Sequence, residues 1–142
     1  MNYRDAKQTD LQNIMEILQL SNLPSEDCAE HLRNFIIVQD EEKIIGIGGL
    51  EVYGTFGLLR SVAVVPVYRG RGIGKIIYKA IEEKAVSIGV NTLFLLTESA
   101  ETYFSRFGFT VKARNEVPTP IVQTRQFKYL CPSSAKVMYL LL

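Results

Sequence analysis

The sequence predicts an α+β fold in which a mixed central sheet of about seven strands is flanked by helices. Three observations support this prediction. Apolar, β-branched runs of strand length recur along the chain, amphipathic patterns with helical spacing separate only some of them, and 142 residues are enough for one core. No repeat, linker or shift in composition divides the chain, so we predict a single domain over residues 1–142.

The first third of the chain begins with a strand and two helices. Met1–Ala6 is a candidate strand, Thr9 or Asp10 can cap the first helix, and Ser25 can cap the second. The apolar face of the first helix consists of residues three or four positions apart, namely Leu11, Ile14, Met15 and Leu18.

Three strands and a long helix follow in the middle of the chain. Phe35–Gln39 and Lys43–Tyr53 lie on either side of a short acidic turn and predict a pair of strands. Leu58–Val65 is a buried strand that ends before a proline. The helical pattern over residues 73–87 ends at Gly89, because glycine is typical of helix C-termini.

The last third alternates short elements. Thr92–Thr97 is a continuous apolar run, which indicates a strand buried on both faces. Ala100–Phe107 predicts a short helix, Phe109–Lys112 a strand and Ile121–Leu130 a helix. The apolar segment Ala135–Leu142 is a final strand, which either pairs across a homodimer or lies inside the sheet.

The loop between the third long strand and its helix is the most informative segment of the chain. Three glycines and two arginines occur within the six residues from Arg69 to Gly74. Glycines allow backbone N–H groups to approach an anion, and a helix N-terminus adds about half a positive charge. A strand, a glycine-rich basic turn and a helix start therefore predict a phosphate site, and the interleaved arginines suit a diphosphate.

Two familiar glycine loops are excluded by the spacing. The nucleotide P-loop requires Gly-Lys-Ser/Thr, but Lys75 is followed by Ile76. The dinucleotide fingerprint requires a third glycine where this chain has Lys75.

The pattern Arg69-x-x-Gly72-x-Gly74 resembles the signature Arg/Gln-x-x-Gly-x-Gly/Ala of the GNAT N-acetyltransferases, whose ligand is the pyrophosphate of acetyl-CoA. The order of elements is similar to that fold over nearly the whole chain. The run Leu95–Phe109 is similar to the segment of that fold in which a helix with two aromatic residues leads into Gly-Phe. The later run from Val117 to Met138 is similar both to arsenic-resistance-associated N-acetyltransferases and to the acetyltransferase domain of bacterial N-acetylglutamate synthases, and both groups share Leu59-Arg60-Ser61 and the strand end Leu-Leu-Thr.

The resemblance implies a set of residues that bind acetyl-CoA as co-substrate. Backbone groups of Val62 and Val64 pair with the pantetheine arm, and the Val62 N–H polarises the thioester carbonyl. Thr97 stands where many members have an asparagine that contacts the same arm. The pyrophosphate is held by the loop residues Arg69, Gly70, Arg71, Gly72, Ile73, Gly74 and Lys75.

Two charged residues are the candidates for catalysis and substrate binding. The resemblance implies that Glu51, at the end of an apolar strand, is the general base that takes the ammonium proton. The alternative is an exposed acid at a strand end. Arg60 lies in an apolar strand, where an unpaired guanidinium is costly, so we predict either a clamp on an amino-acid carboxylate or an ion pair with an acid. Tyr53 is a further candidate for the substrate pocket.

The chain departs from the family where a general acid is expected. Phe104 occupies the usual tyrosine position, and Tyr103 is rotated from it by about 100° on a helix. The thiolate can leave unassisted, because a thiol pKa of about 8.5 makes it a tolerable leaving group. His31 is the single histidine, and no motif indicates that it is catalytic.

Composition limits the partners. A net charge of +1 gives no general reason to bind nucleic acid or membranes, and no apolar run approaches the ~20 residues of a membrane span. No metal-ligand spacing occurs. With no leader peptide and two distant cysteines, Cys28 and Cys131, the sequence predicts a cytoplasmic protein.

These observations predict an enzyme that transfers acetyl from acetyl-CoA to the amine of a small amino acid or analogue, directly within a ternary complex. Glutamate acetylation and detoxification linked to arsenic resistance are both compatible with the pattern. Two other functions remain open at this level: a non-catalytic acetyl-CoA-binding module, and a protein or peptide N-acetyltransferase.

Overall fold

Seven strands form one mixed sheet, as the sequence predicts. The computed structural model describes residues 1–142, and the strands follow the order β1-β2-β3-β4-β5-β7-β6. The strands are β1 (Asn2–Asp5), β2 (Phe35–Asp40), β3 (Lys43–Tyr53), β4 (Phe56–Val64), β5 (Thr92–Thr97), β6 (Thr110–Lys112) and β7 (Lys136–Leu141). The α-helices are α1 (Leu11–Leu20), α2 (Ile73–Ser87), α3 (Glu101–Ser105) and α4 (Thr119–Val122).

Two predicted helices differ from the observed elements. The segment expected to be a helix after Ser25 is a 3₁₀ helix over Cys28–Asn34. The helix expected over Ile121–Leu130 divides into α4 and a π-helical turn, Gln126–Leu130. At the division, the Thr124 hydroxyl donates to the Ile121 carbonyl and accepts from the Phe127 N–H. A threonine side chain that bonds its own backbone competes with regular helix.

The chain contains two compact units. The first comprises Met1–Glu51 and Leu59–Lys84, and the second comprises Val52–Leu58 and Ala85–Leu142. The single domain over residues 1–142 stays a prediction. No helix combines the length and the apolar character that a membrane crossing requires.

In the first unit, β2 pairs antiparallel with both β1 and β3. Its core combines residues of α1, of the 3₁₀ helix and of the sheet, namely Ile14, Leu18, Cys28, Leu32, Phe35, Ile37, Ile47 and Ala63. Helix α2 packs closely on β3, because a Cβ at Gly48 would lie 2.4 Å from a methyl group of Ile77. This close packing positions the N-terminus of α2 and the loop before it.

In the second unit, β7 lies between two neighbours. It pairs antiparallel with β5, from Thr92↔Leu141 to Thr97↔Lys136, and with β6 on its other side. The final strand is therefore internal to the sheet, which confirms the second of the two alternatives for it. The homodimer stays a prediction.

Candidate active site

The glycine-rich loop joins β4 to the start of α2, as expected. Gly70 and Gly72 have φ values of +78° and +80°, and no atom lies within 4 Å of the position that a Cβ would occupy. A positive φ favours glycine, and the open space leaves the backbone accessible to a ligand. The loop then enters α2 at Ile73, so that backbone donors and a helix N-terminus occur together. This donor set fits a pyrophosphate.

The basic side chains of the loop have defined contacts. The Arg69 Nε donates to the Val64 carbonyl at 3.0 Å, which ties the loop to the end of β4. The Arg71 guanidinium lies 5.1 Å from the centre of the Tyr68 ring, and the Tyr68 hydroxyl donates to Asp40 at 3.0 Å. The hydrogen bond to Asp40 raises the pKa of Tyr68. Arg71 remains exposed, so its charge is available to an anion.

One edge of β4 carries the backbone groups of Val62 and Val64. The Val65 N–H donates to the Ile45 carbonyl on β3. Because successive residues of a strand direct their backbone groups to opposite edges, Val62 and Val64 direct theirs away from β3. Ser61, directly before them, has a φ of +59°, a left-handed conformation that is uncommon for serine. No sequence signal indicates this distortion, since Ser61 is neither glycine nor asparagine.

Arg60 and Glu51 meet in a buried ion network with Asp27. Arg60 makes two hydrogen bonds of 2.7 Å to Asp27, one of 2.8 Å to Glu51 and one of 3.0 Å to the Ser61 hydroxyl. The three charged side chains are each 1% exposed. The ion pair anticipated as the alternative for Arg60 is therefore present, and the carboxylate clamp stays a prediction. Because Glu51 is buried, the alternative of an exposed acid is wrong.

Burial and the ion network shift the pKa values of Asp27 and of the neighbouring Cys28. Burial acts to raise the pKa of Asp27, but the hydrogen bonds and the charge of Arg60 outweigh burial and hold that pKa below its usual value. Burial raises the pKa of the neighbouring Cys28 thiol. Two carboxylates face one guanidinium, so the Asp27–Arg60–Glu51 network carries one excess negative formal charge.

His31 is the site residue that the sequence did not indicate. Its Nε2 lies 3.5 Å from the Glu51 carboxylate, and its side chain is 22% exposed. The ligand atoms of Asp27, Glu30 and His31 also lie within 4.8 Å of one another. We assign no metal to this group, because both oxygens of Asp27 accept hydrogen bonds from the Arg60 guanidinium.

Three other predicted residues belong to the second unit. The Thr97 hydroxyl accepts a hydrogen bond of 2.9 Å from the Ala100 N–H at the start of α3. Tyr53 packs against an apolar cluster that includes Phe94. Phe104 is buried, whereas Tyr103 is 37% exposed with its pKa raised by burial of part of the side chain. Their roles with acetyl-CoA or substrate stay predictions.

A family comparison matches three quarters of the chain. The model of the acetyltransferase (GNAT) family aligns with residues 4–109. These residues include the buried ion network, the loop and all of α3.

Curated relatives share part of the chain. The uncharacterized N-acetyltransferase YjcF of Bacillus subtilis is 30% identical over 99 residues, which are 67% of this chain and 71% of the relative. An amino-acid acetyltransferase of Mycobacterium tuberculosis is 34% identical over 92 residues, 64% of this chain and 49% of the relative. The chain therefore matches about half the length of the latter protein.

Solved structures with the same fold include complexes with CoA. Rv2747 of Mycobacterium tuberculosis, in complex with CoA and NLQ, has a TM-score of 0.85 at 23% identity and covers 100% of this chain and 99% of its own. N-acetylglutamate synthase of Neisseria gonorrhoeae, with CoA and N-acetyl-glutamate, has a TM-score of 0.86 at 21% identity. That match covers 99% of this chain and 35% of the synthase.

Proposed function

Since the chain belongs to the acetyltransferase (GNAT) family, we propose that this acetyl-CoA-dependent N-acetyltransferase transfers acetyl to the amine of a small amino acid or amino-acid analogue, directly within a ternary complex. The observation that carries the proposal is the accessible glycine-rich loop that joins β4 to the start of α2. The amino-acid acetyltransferase relative supports the choice of acceptor.

The loop residues bind the co-substrate in this proposal. Backbone N–H groups of residues 69–75 hold the pyrophosphate, and the exposed side chains of Arg71 and Lys75 add positive charge. Backbone groups of Val62 and Val64 hold the pantetheine arm, and the Val62 N–H donates to the thioester oxygen. When bound, acetyl-CoA supplies an activated acetyl thioester.

Glu51 is the general base of the proposed reaction. It takes a proton from the substrate ammonium, directly or through one water, so that the neutral amine can attack. Arg60 holds one oxygen of this carboxylate at 2.8 Å and so fixes its orientation. If Arg60 also clamps a substrate carboxylate, it must share its guanidinium with Asp27, because Asp27 already accepts two of its N–H groups.

We also propose a cytoplasmic location. Neither Cys28 nor Cys131 is part of a disulfide, and cysteines stay reduced in the reducing compartments of the cell.

The test is acetyl transfer from acetyl-CoA across a panel of amines, with the products identified by mass spectrometry. The panel contains glutamate, aspartate, other amino acids, phosphinothricin-like analogues and a lysine peptide. Mass detection is needed because thiol reagents for CoA also react with a partly exposed cysteine such as Cys131. We expect an N-acetylated amino acid or analogue. Acetylation of glutamate would favour a role in biosynthesis, and acetylation of a phosphinothricin-like compound would favour detoxification.

Two variants address the roles of the charged residues. Glu51→Gln should lower kcat roughly 100-fold, within the range for loss of a general base. Arg60→Ala should raise the KM for the acceptor if Arg60 binds its carboxylate, and lower kcat alone if Arg60 only orients Glu51. CoA binding without any product would instead favour a binding module, and a product from the peptide alone would favour a peptide acetyltransferase.

A further inference from the structure

The proposed base is enclosed, so its proton needs a route to water. Glu51 is 1% exposed, and one of its oxygens is bonded to Arg60, which stays protonated and accepts no proton. Its other oxygen lies 3.5 Å from Nε2 of His31, whose side chain is 22% exposed. His31 therefore links the buried carboxylate to the protein surface. A contact of this length is common in unliganded enzymes, where catalytic hydrogen bonds tighten only with substrate.

Charged groups from three elements face His31. Asp27 and Glu30 lie on its own segment, Glu51 approaches from β3, and Arg60 approaches from β4. A carboxylate oxygen and a neutral imidazole nitrogen can each accept a proton, and the two atoms that face each other here are an oxygen of Glu51 and Nε2 of His31. The pair therefore has the two acceptors that a relay requires.

We infer that His31 is a positioning and proton-relay residue, which carries to solvent the proton that Glu51 takes from the substrate ammonium. This inference rests on the proposed function. The ammonium nitrogen loses a proton to a Glu51 oxygen, and the carboxyl passes a proton to Nε2 of His31. The imidazolium then releases one proton to bulk water, so both side chains return to their starting states. The sequence contained no motif for this role because His31 and Glu51 lie on different elements.

The test separates proton transfer from structural support. His31→Gln keeps an N–H close to the position of Nε2 but cannot carry a proton, and His31→Ala leaves room for free imidazole. Arg33→Gln is the control, because Arg33 is exposed on the same 3₁₀ helix. Each variant is assayed by mass spectrometry of the N-acetylated product, since free imidazole also releases CoA, using the panel amine with the highest wild-type kcat/KM.

We expect His31→Gln to lower kcat roughly tenfold or more with little change in the KM for acetyl-CoA, and imidazole to restore kcat in His31→Ala several-fold. Arg33→Gln should keep the wild-type kcat. A wild-type kcat in His31→Gln overturns the inference and leaves the proposed function intact, as does a loss in His31→Ala that imidazole does not restore. A wild-type chain that binds acetyl-CoA but acetylates no amine overturns both.

Discussion

At the scale of single residues, the buried pair Asp27–Arg60 dominates the energetics of the site. Two charges removed from water are costly, and two short parallel hydrogen bonds offset that cost. If one partner is removed, the other remains buried without compensation. The pair is therefore expected to matter more for stability than the exposed ion pairs of the same chain.

We predict that Asp27→Asn lowers the free energy of unfolding by about 3 kcal/mol at neutral pH. Arg60 lowers the pKa of Asp27 in the folded state, so the carboxylate stabilises the fold above its unfolded-state pKa of 3.8. That contribution is lost as the pH falls through the lower, folded-state pKa. The difference in the free energy of unfolding between wild type and Asp27→Asn should therefore shrink below pH 3.8. Urea unfolding from neutral pH to below pH 3.8 measures this difference.

Asp5→Asn is the matched control for this prediction. Asp5 pairs with Lys84 at 3.0 Å, but its side chain is 70% exposed. An exposed ion pair contributes at most about 1 kcal/mol. Equal destabilisation by the two substitutions would contradict the importance of the buried pair.

At the scale of elements, the phosphate loop was predictable because its signals are local. Glycines, arginines and the start of an amphipathic helix occur within a few consecutive residues, and the observed positive φ values follow from glycine itself. The segment over Ile121–Leu130 was less predictable. Its apolar pattern suits a helix, but the backbone hydrogen bonds of the Thr124 hydroxyl divide it.

We predict that Gly72→Ala raises the Kd for CoA roughly tenfold. An alanine at a φ of +80° costs about 1–2 kcal/mol, which the loop relieves by turning its N–H groups away from the pyrophosphate. Nothing lies within 4 Å of the added Cβ, so the effect is backbone strain without a clash. Isothermal titration calorimetry with CoA measures the change.

Gly89→Ala is the control for backbone strain. Gly89 has a φ of +90° and equally open surroundings, but it follows the C-terminus of α2. The Gly89→Ala substitution should destabilise the fold by about as much as Gly72→Ala and leave the Kd for CoA unchanged. A similar loss of affinity in both variants would show that general destabilisation, rather than loop geometry, weakens binding.

At the scale of the whole molecule, the fold and the ligand are thermodynamically linked. A ligand that binds only the folded chain stabilises it by about 2.7 kcal/mol at a hundredfold excess over Kd. Under the proposed function, CoA is that ligand. CoA binding should therefore be visible as an increase in the stability of the entire chain.

We predict that CoA at a hundredfold excess over Kd raises the Tm by roughly 5–10 °C. Pantetheine, which lacks the pyrophosphate, should have a much smaller effect at the same concentration. At the concentration used for wild type, Gly72→Ala should show a reduced shift. Circular dichroism during thermal unfolding gives the Tm shifts of wild type with CoA, of wild type with pantetheine and of Gly72→Ala with CoA. Equal shifts of the wild type with CoA and with pantetheine would contradict the role of the loop.

The amino-acid sequence alone was enough to predict the elements whose signals are local. Strand and helix patterns predicted most boundaries to within one or two residues, for example Lys43–Tyr53, Thr92–Thr97 and residues 73–87. It also predicted the phosphate loop. Backbone preferences and hydrophobic periodicity act over a few residues, so these features can be predicted without knowledge of the fold.

The contacts between residues that are distant in the chain became known only from the fold. Asp27 is 33 positions from Arg60. His31 contacts Glu51 from a 3₁₀ helix, in the segment where the sequence predicted a helix capped by Ser25. Likewise, β7 pairs with both β5 and β6 instead of forming a sheet edge. Such pairings depend on how distant segments pack and on which buried charges compensate one another. The charge of Arg60 was evident in the sequence, but its partners became known only from the fold.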